Sequence, residues 1–419
     1  MYLARQSYTF PEQDLIYHLI HLYFENSNII FPILHRPSFE KDLHDGKHTL
    51  DCAFGRVVLL VCALGSRFSE DQRVLLPESN SRLSSGWAWF SQIQFEKLIF
   101  SASPLYDLQT ACLGAIYLLG TSAYHASWNL VGMGLRIAQE IGIHRKKLYS
   151  LRPTANDELF KRCFWTLLWI DREIGAVSGR PCAIQEEDFD VDMPIACDDE
   201  YWTHPDPDKA FRQPLGRPSR LDAFICQLKL LRILGYSLRT IHASEKAKCH
   251  FGLIGDDWER RTVADFDRVL NEWVDCVPNY LRWDPTREDD VLFFQSAHLF
   301  TQFYDLQILI HRPFISPRRT SPHHFSSVAV CVNAARACSR IVSRAQERWS
   351  GRMMPFFQRP VYMAVMVLLL GIWNAKQSIL SFDVEKEMSS INKCIHYLRT
   401  VEEVWHVAGR IQYANASLP

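Results

Sequence analysis

From Leu159 to Ile170 the sequence reads LFKRCFWTLLWI, apolar on almost every side of a helical wheel. A helix of that kind has to sit in the middle of something, because no face of it suits water. Stripes at spacings of three and four recur along the rest of the chain. In DLIYHLIHLYFE, Leu15, Leu19 and Leu22 line one face, and Asp14, His18, His21 and Glu25 line the other. Ala111 to Gln139, rich in Ala, Gly and Leu, suits two closely packed helices. Leu221, Phe224, Leu228, Leu231, Leu234, Leu238 and Ile241 trace another stripe. Phe293, Ala297, Phe300, Tyr304 and Ile308 trace the next, which Pro313 ends. Ile391, Ile395, Leu398, Val401, Trp405 and Ala408 predict a last helix. No turn residues lie between two alternating runs, as a hairpin requires. The expected fold is all-α.

Breaks fall at Ser66 to Gly86, at Leu148 to Asp157 and at Ile195 to Arg220, where Pro205, Pro207, Pro214 and Pro218 cluster. The organisation this predicts is an N-terminal helical half (1–195), a Pro-rich irregular connection (196–220) and a C-terminal helical half (221–419). The tetrapeptide Leu/Ile-His-Arg-Pro occurs twice, at Leu34 to Pro37 and Ile310 to Pro313. The first follows a loop and the second ends a helix, so two turns of similar chemistry are expected, not duplicated domains.

With 46 basic and 47 acidic residues the formal net charge is -1, and no whole-chain positive field exists to hold DNA or an anionic membrane. The longest apolar run, Val361 to Trp373, is too short to span a bilayer. The twelve cysteines contain no C-x-x-C pair, and most sit in apolar runs where they act as small hydrophobes. A reducing cytosolic or nuclear compartment fits that usage.

Several acidic and histidine patterns could carry chemistry. Asp188, Asp190 and Asp192 match the opening of a calcium loop, with Asp199 at its twelfth position, but Met193 stands where the loop needs glycine. Phe189, Val191 and Met193 alternate with those carboxylates, which describes an extended strap with one apolar and one wet face. With Glu186 and Glu187 the segment follows a Gly179-Arg180-Pro181 turn. The row Asp14, His18, His21, Glu25 has metal-ligand spacing, but it lies opposite the leucine stripe and is expected to be a solvated helix face. Asp198-Asp199-Glu200, Asp256-Asp257 and Asp289-Asp290 lack the further acid a magnesium-dependent terpenoid synthase needs. Gly132-x-Gly134 is preceded by no strand and followed by Ile137, so helix packing, not dinucleotide binding, is expected of it. His144-Arg145-Lys146-Lys147 follows a helix, whose C-terminus suits cations, and is short for a nuclear import signal. Trp128, Trp165, Trp169, Trp273 and Trp373 are expected in the core, with an apolar ligand pocket as the other use for them.

Three segments in order, Tyr23 to Phe39, Ser127 to Arg145 and above all Glu158 to Pro194, resemble the fungal-specific transcription factor domain. This is the middle homology, or regulatory, region of fungal zinc-cluster transcription factors, and the xylanolytic-activator type is the most similar. Ile308 to Ile315 and the surroundings of Trp405 echo it more weakly. The resemblance implies an all-α regulatory region that acts in the nucleus on RNA polymerase II transcription. It implies regulatory proteins or the transcription machinery as partners, a small apolar effector, self-association as a homodimer, and no membrane. In that family six cysteines of an N-terminal domain bind two zinc ions and read DNA. This chain enters the helical region at Met1 and has no cysteines at that spacing, so zinc and DNA contact are expected only through a domain missing from it or a partner. No catalytic, metal-binding or DNA-binding residue is expected here, no enzymatic activity, and the residues do not say where a ligand would sit. Two other classes stay open on the residues alone: a helical enzyme with an apolar substrate, and a free-standing adaptor that binds no DNA.

Overall fold

The structure, a computed structural model, describes residues 8–253, 256–315, 322–349, 355–375 and 383–406. Among the described residues it is built of α-helices and short 3-10 turns, with no strand. The chain forms two compact units, residues 1–228 with 403–407, and residues 229–402 with 408–419. The Pro-rich stretch 196–220 lies wholly in the first unit, and the division falls inside a helix.

In the first unit the longer helices are α1 (Gln13–Asn26), α2 (Arg36–His44), α3 (Cys52–Gly65), α4 (Pro104–Leu119), α5 (Tyr124–Ile141) and α6 (Ala155–Ser178). Helix α3 packs between α1 and α4, and α4, α5 and α6 pack on one another. Gly134 is where these last three meet. A Cβ there would lie 3.0 Å from the Leu167 methyls of α6 and 3.1 Å from Ala111 of α4. Gly132 faces open space and plays no such part.

Helix α6 is the central element its composition predicts. From Leu159 to Ile170 every residue but Phe160 is buried. Thr154 starts it with a capping box: its hydroxyl accepts from Asp157 N–H at 3.1 Å, and the Asp157 carboxylate accepts from Thr154 N–H at 3.2 Å. Gly179 ends it in the left-handed region, φ 66°. On α1 the buried face is formed by Leu15, Ile16, Leu19, Ile20, Tyr23 and Phe24, so Leu22 stands at its margin instead of its centre.

In the second unit α7 (Asp222–Arg239, which starts in the first), α8 (Asp256–Cys276), α9 (Asp290–His311), α10 (Pro322–Arg348), α11 (Gln358–Ala375) and α12 (Val384–Glu402) are the long helices. Helices α9, α10 and α11 pack mutually, and α12 packs on α10 and α11. Helix α9 is buried nearly all round and stops where Pro313 stands, in the turn Arg312–Phe314. Helix α12 ends at Glu402, so Trp405 does not continue its stripe. Trp405 belongs instead to the first unit, 1% exposed, with the Arg67 guanidinium 5.6 Å from its ring centroid. Ala408 lies outside the described residues. Trp165, Trp169 and Trp273 are core residues as expected, whereas Trp373 is 50% exposed. No described helix is long and apolar enough to cross a membrane.

Candidate functional site

The segment after α6 is clamped to it by charged residues that the helix itself buries. Arg172 pairs with Glu186 at 3.0 Å, and Asp171 accepts from Ala183 N–H at 2.9 Å. Trp165 donates through Nε1 to Asp192 O at 3.1 Å. Glu158 pairs with Lys161 at 2.6 Å and accepts from Ile195 N–H at 2.8 Å, and Arg162 pairs with Asp199 at 2.9 Å. Burial pushes the Asp171 carboxyl up to about 6, against the lowering effect of the Ala183 N–H and of Arg172.

Between these clamps the strap has the alternation its sequence predicts. Phe189 and Val191 are buried and Met193 half-buried, with Phe189 edge-on to Phe164 at 5.4 Å and to Trp165 at 5.6 Å. Of its aspartates, Asp188 stays within its own turn, whereas Asp190 and Asp192 both engage Lys146. Asp188 accepts from Gln185 N–H, Asp190 from Lys146 N–H at 2.7 Å, and Asp192 pairs with Lys146 Nζ at 2.9 Å. The basic segment 144–147 is therefore the strap's electrostatic partner, a relation the sequence did not suggest.

Beyond the strap, the first His-Arg-Pro and the acids Asp198-Asp199-Glu200 come together. Asn28 shapes the approach: its amide donates to Leu34 O and its carbonyl accepts from Leu34 N–H, both at 3.2 Å. His35 then caps α2, accepting at Nδ1 from Ser38 N–H, and Pro37 follows in the first turn, where its missing N–H costs nothing. The other ring nitrogen, Nε2, lies 2.9 Å from Asp199 O. An N–H into Nδ1 and a carbonyl at Nε2 fix the neutral tautomer with its proton on Nε2. The ring stacks on Trp202 at 4.4 Å, and the Arg162 guanidinium also lies 4.4 Å from that indole's centroid.

Asn28, Arg162 and Asp199 border a cleft of about 170 Å³. Phe24, Ile29, Pro32, Pro37 and Leu221 give it apolar walls. Arg36 and Arg220 line it with Glu25, Asp198 and Glu200. Asp199 has both oxygens filled, by Arg162 and by Arg36 N–H at 2.9 Å. Asp198 is filled by Ser219 Oγ, Arg220 N–H and Gln213 Nε2. In sequence these acids lack the further carboxylate of a magnesium site; the structure uses them to tie the turn at 198–221 to α2 and α6. Trp202 was not singled out at all, and nothing local marks it.

The remaining patterns are dispersed. Asp14 pairs with Arg73, Glu25 with Arg36, and His18 and His21 are exposed. Asp289 caps α9, accepting from Leu292 N–H at 2.8 Å. The side chains of Asp256 and Asp257 lie outside the described residues. Among the described residues no three His, Cys, Asp or Glu side chains are placed to share a metal ion.

The architecture is that of an all-α body whose buried charges organise a strap and a turn. Comparison with known proteins places it. A family model described as the fungal specific transcription factor domain matches residues 20–275, and the chain belongs to that family. Among relatives, it is 23% identical to the transcriptional activator protein acu-15 of Neurospora crassa, over 83% of this chain and 36% of that protein. It is 23% identical to cutinase transcription factor 1 alpha of Fusarium vanettenii, over 98% and 43% respectively. It is 23% identical to the probable transcription factor FUP6 of Fusarium proliferatum, over 95% and 62%. The chain thus spans less than two thirds of the length of each.

Proposed function

We propose that this chain is the regulatory region of a fungal zinc-cluster-type transcription factor. It controls RNA polymerase II transcription in the nucleus through contacts with regulatory proteins or the transcription machinery, and without enzymatic activity of its own. DNA is read by a zinc cluster outside these residues or by a partner. The observation that carries this reading is the family match over residues 20–275, together with relatives that are themselves transcription factors. The balanced net charge of -1 supports assigning DNA contact elsewhere.

The reading is tested by fusing residues 1–419 to a bacterial DNA-binding domain and measuring a reporter behind the matching operator in yeast. A several-fold change in output, up or down, relative to the DNA-binding domain alone is expected. Unchanged output from a folded fusion present in the nucleus would sink it.

A further inference from the structure

We propose that the cleft beside His35 and Arg162 binds a small monocarboxylic acid with a short apolar body, its carboxylate held by the Arg162 guanidinium, which lines the cleft. Arg162 is 2% exposed, yet among the described residues it makes one hydrogen bond, from Nη1 to Asp199 Oδ1. Its Nε–H has no acceptor. Burying an arginine while leaving N–H groups unfilled is costly, and planar guanidinium edges match a carboxylate's two oxygens. The stack against Trp202 and the bond to Asp199 hold the group in place beforehand, so little ordering is needed on binding.

The lining selects among anions. Three arginines, Arg36, Arg162 and Arg220, stand against four carboxylates, Glu25, Asp198, Asp199 and Glu200. Arg36 is committed to Glu25 at 2.8 Å and Glu40 at 2.7 Å. That balance leaves the lining one negative charge in excess, so it gives no field for a phosphate or a dicarboxylate, and a single carboxylate has to be held by direct hydrogen bonds to one guanidinium. Phe24, Ile29, Pro32, Pro37 and Leu221 provide for an apolar body. A volume of about 170 Å³ is that of roughly five or six waters at about 30 Å³ each, and falls short of the ~300–1,000 Å³ of drug-sized sites. A short-chain acid fits it.

The regulatory reading supplies only the purpose of such a site, namely to let a metabolite set the regulator's state; the binding itself is measured on purified protein. Ligand-observed NMR titration of the full chain with isovalerate should show saturable binding. Isovaleramide, which has the same shape without the charge, should bind at least tenfold more weakly, and inorganic phosphate should not compete. Arg162→Gln should weaken isovalerate at least tenfold. Ile29→Trp fills the cleft from a half-buried position and should abolish binding with the circular dichroism spectrum unchanged. Absence of isovalerate binding, equal binding by the amide, displacement by phosphate, or full binding in a folded Ile29→Trp variant would each overturn the proposal. A failed titration alongside an active reporter fusion would remove the ligand and keep the regulator.

Discussion

Phe189→Ala separates two accounts of the strap, one in which its ring holds it and one in which its carboxylates do. The ring is 9% exposed and meets Phe164 and Trp165 edge-on at 5.4 and 5.6 Å. Truncating a buried phenylalanine costs about 3–5 kcal/mol, from lost transfer energy and the cavity left behind. The lower end applies here, because a ring 9% exposed lies at the margin of the core, where the strap can close over part of the gap. The backbone anchors survive the substitution: Asp190 N–H still donates to His144 O at 3.1 Å, and Trp165 Nε1 to Asp192 O. A loss of about 3 kcal/mol is therefore expected, read as a lower urea midpoint by far-UV circular dichroism. The paired control is Asp190→Asn. Its carboxylate is 59% exposed, and the amide oxygen can still accept from Lys146 N–H, so a change within about 0.5 kcal/mol is expected. Equal midpoints for wild type and Phe189→Ala, or a larger loss from Asp190→Asn, would refute the reasoning.

Three further substitutions probe other parts of the first unit. Asp171 binds its proton more tightly folded than unfolded, about 6 against 3.8, so its contribution to stability falls as pH rises through that window, by at most about 3 kcal/mol. Asp171→Asn should consequently gain stability over wild type at pH 7.5 and lose that advantage near pH 4; melting-temperature differences that do not change with pH would count against it. Thr154→Ala removes the capping box of α6 and should cost about 1 kcal/mol in the same urea titration. Gly120→Ala would put a methyl 2.3 Å from Trp405 Cε3 and should cost about 1–3 kcal/mol. That penalty should shrink in a Trp405→Leu background, and an undiminished penalty would show that the indole is not what it strikes.

Periodicity made α1, α4 to α7, α9 and α12 legible but not α2, α3, α8 or α10, and strict alternation made the strap legible, because both signals depend on neighbours within a few residues. What stayed hidden depends on partners far along the chain. Glu158, Lys161, Arg162, Asp171 and Arg172 read as the wet minority of an apolar helix, and all five are buried. Except for Lys161, whose partner is Glu158 one turn away, each receives a group from the returning segment between Ala183 and Asp199. No local pattern announces which charges a later segment will cover. The cleft is more remote still, since His35 and Asp199 stand 164 positions apart. Trp373 and Trp405 fail in opposite senses. The first sits on an apolar helix and remains half exposed, and the second lies past the end of a helix and is buried against Arg67.

The repeated His-Arg-Pro shows how far a short motif constrains its surroundings. In both copies the histidine is buried with both ring nitrogens engaged, and the proline sits in the first turn of the helical segment that follows. His35 binds Ser38 and Asp199 O; His311 binds Asp267 at 2.9 Å and Ser327 Oγ at 3.3 Å. The proline frees the turn from an N–H it could not satisfy, and the imidazole ties that turn to a distant segment, so this much travels with the tetrapeptide. The arginine does not. Arg36 is neutralised by Glu25 and Glu40, whereas Arg312 is held below the usual guanidinium range by burial and then by the adjacent Arg359. One context makes the motif a wall of an open cleft and the other makes it the close of a packed helix. The function of each copy is therefore set by the charges its neighbours bring, and the cleft at the first copy follows from Arg162 and Asp199 arriving beside it.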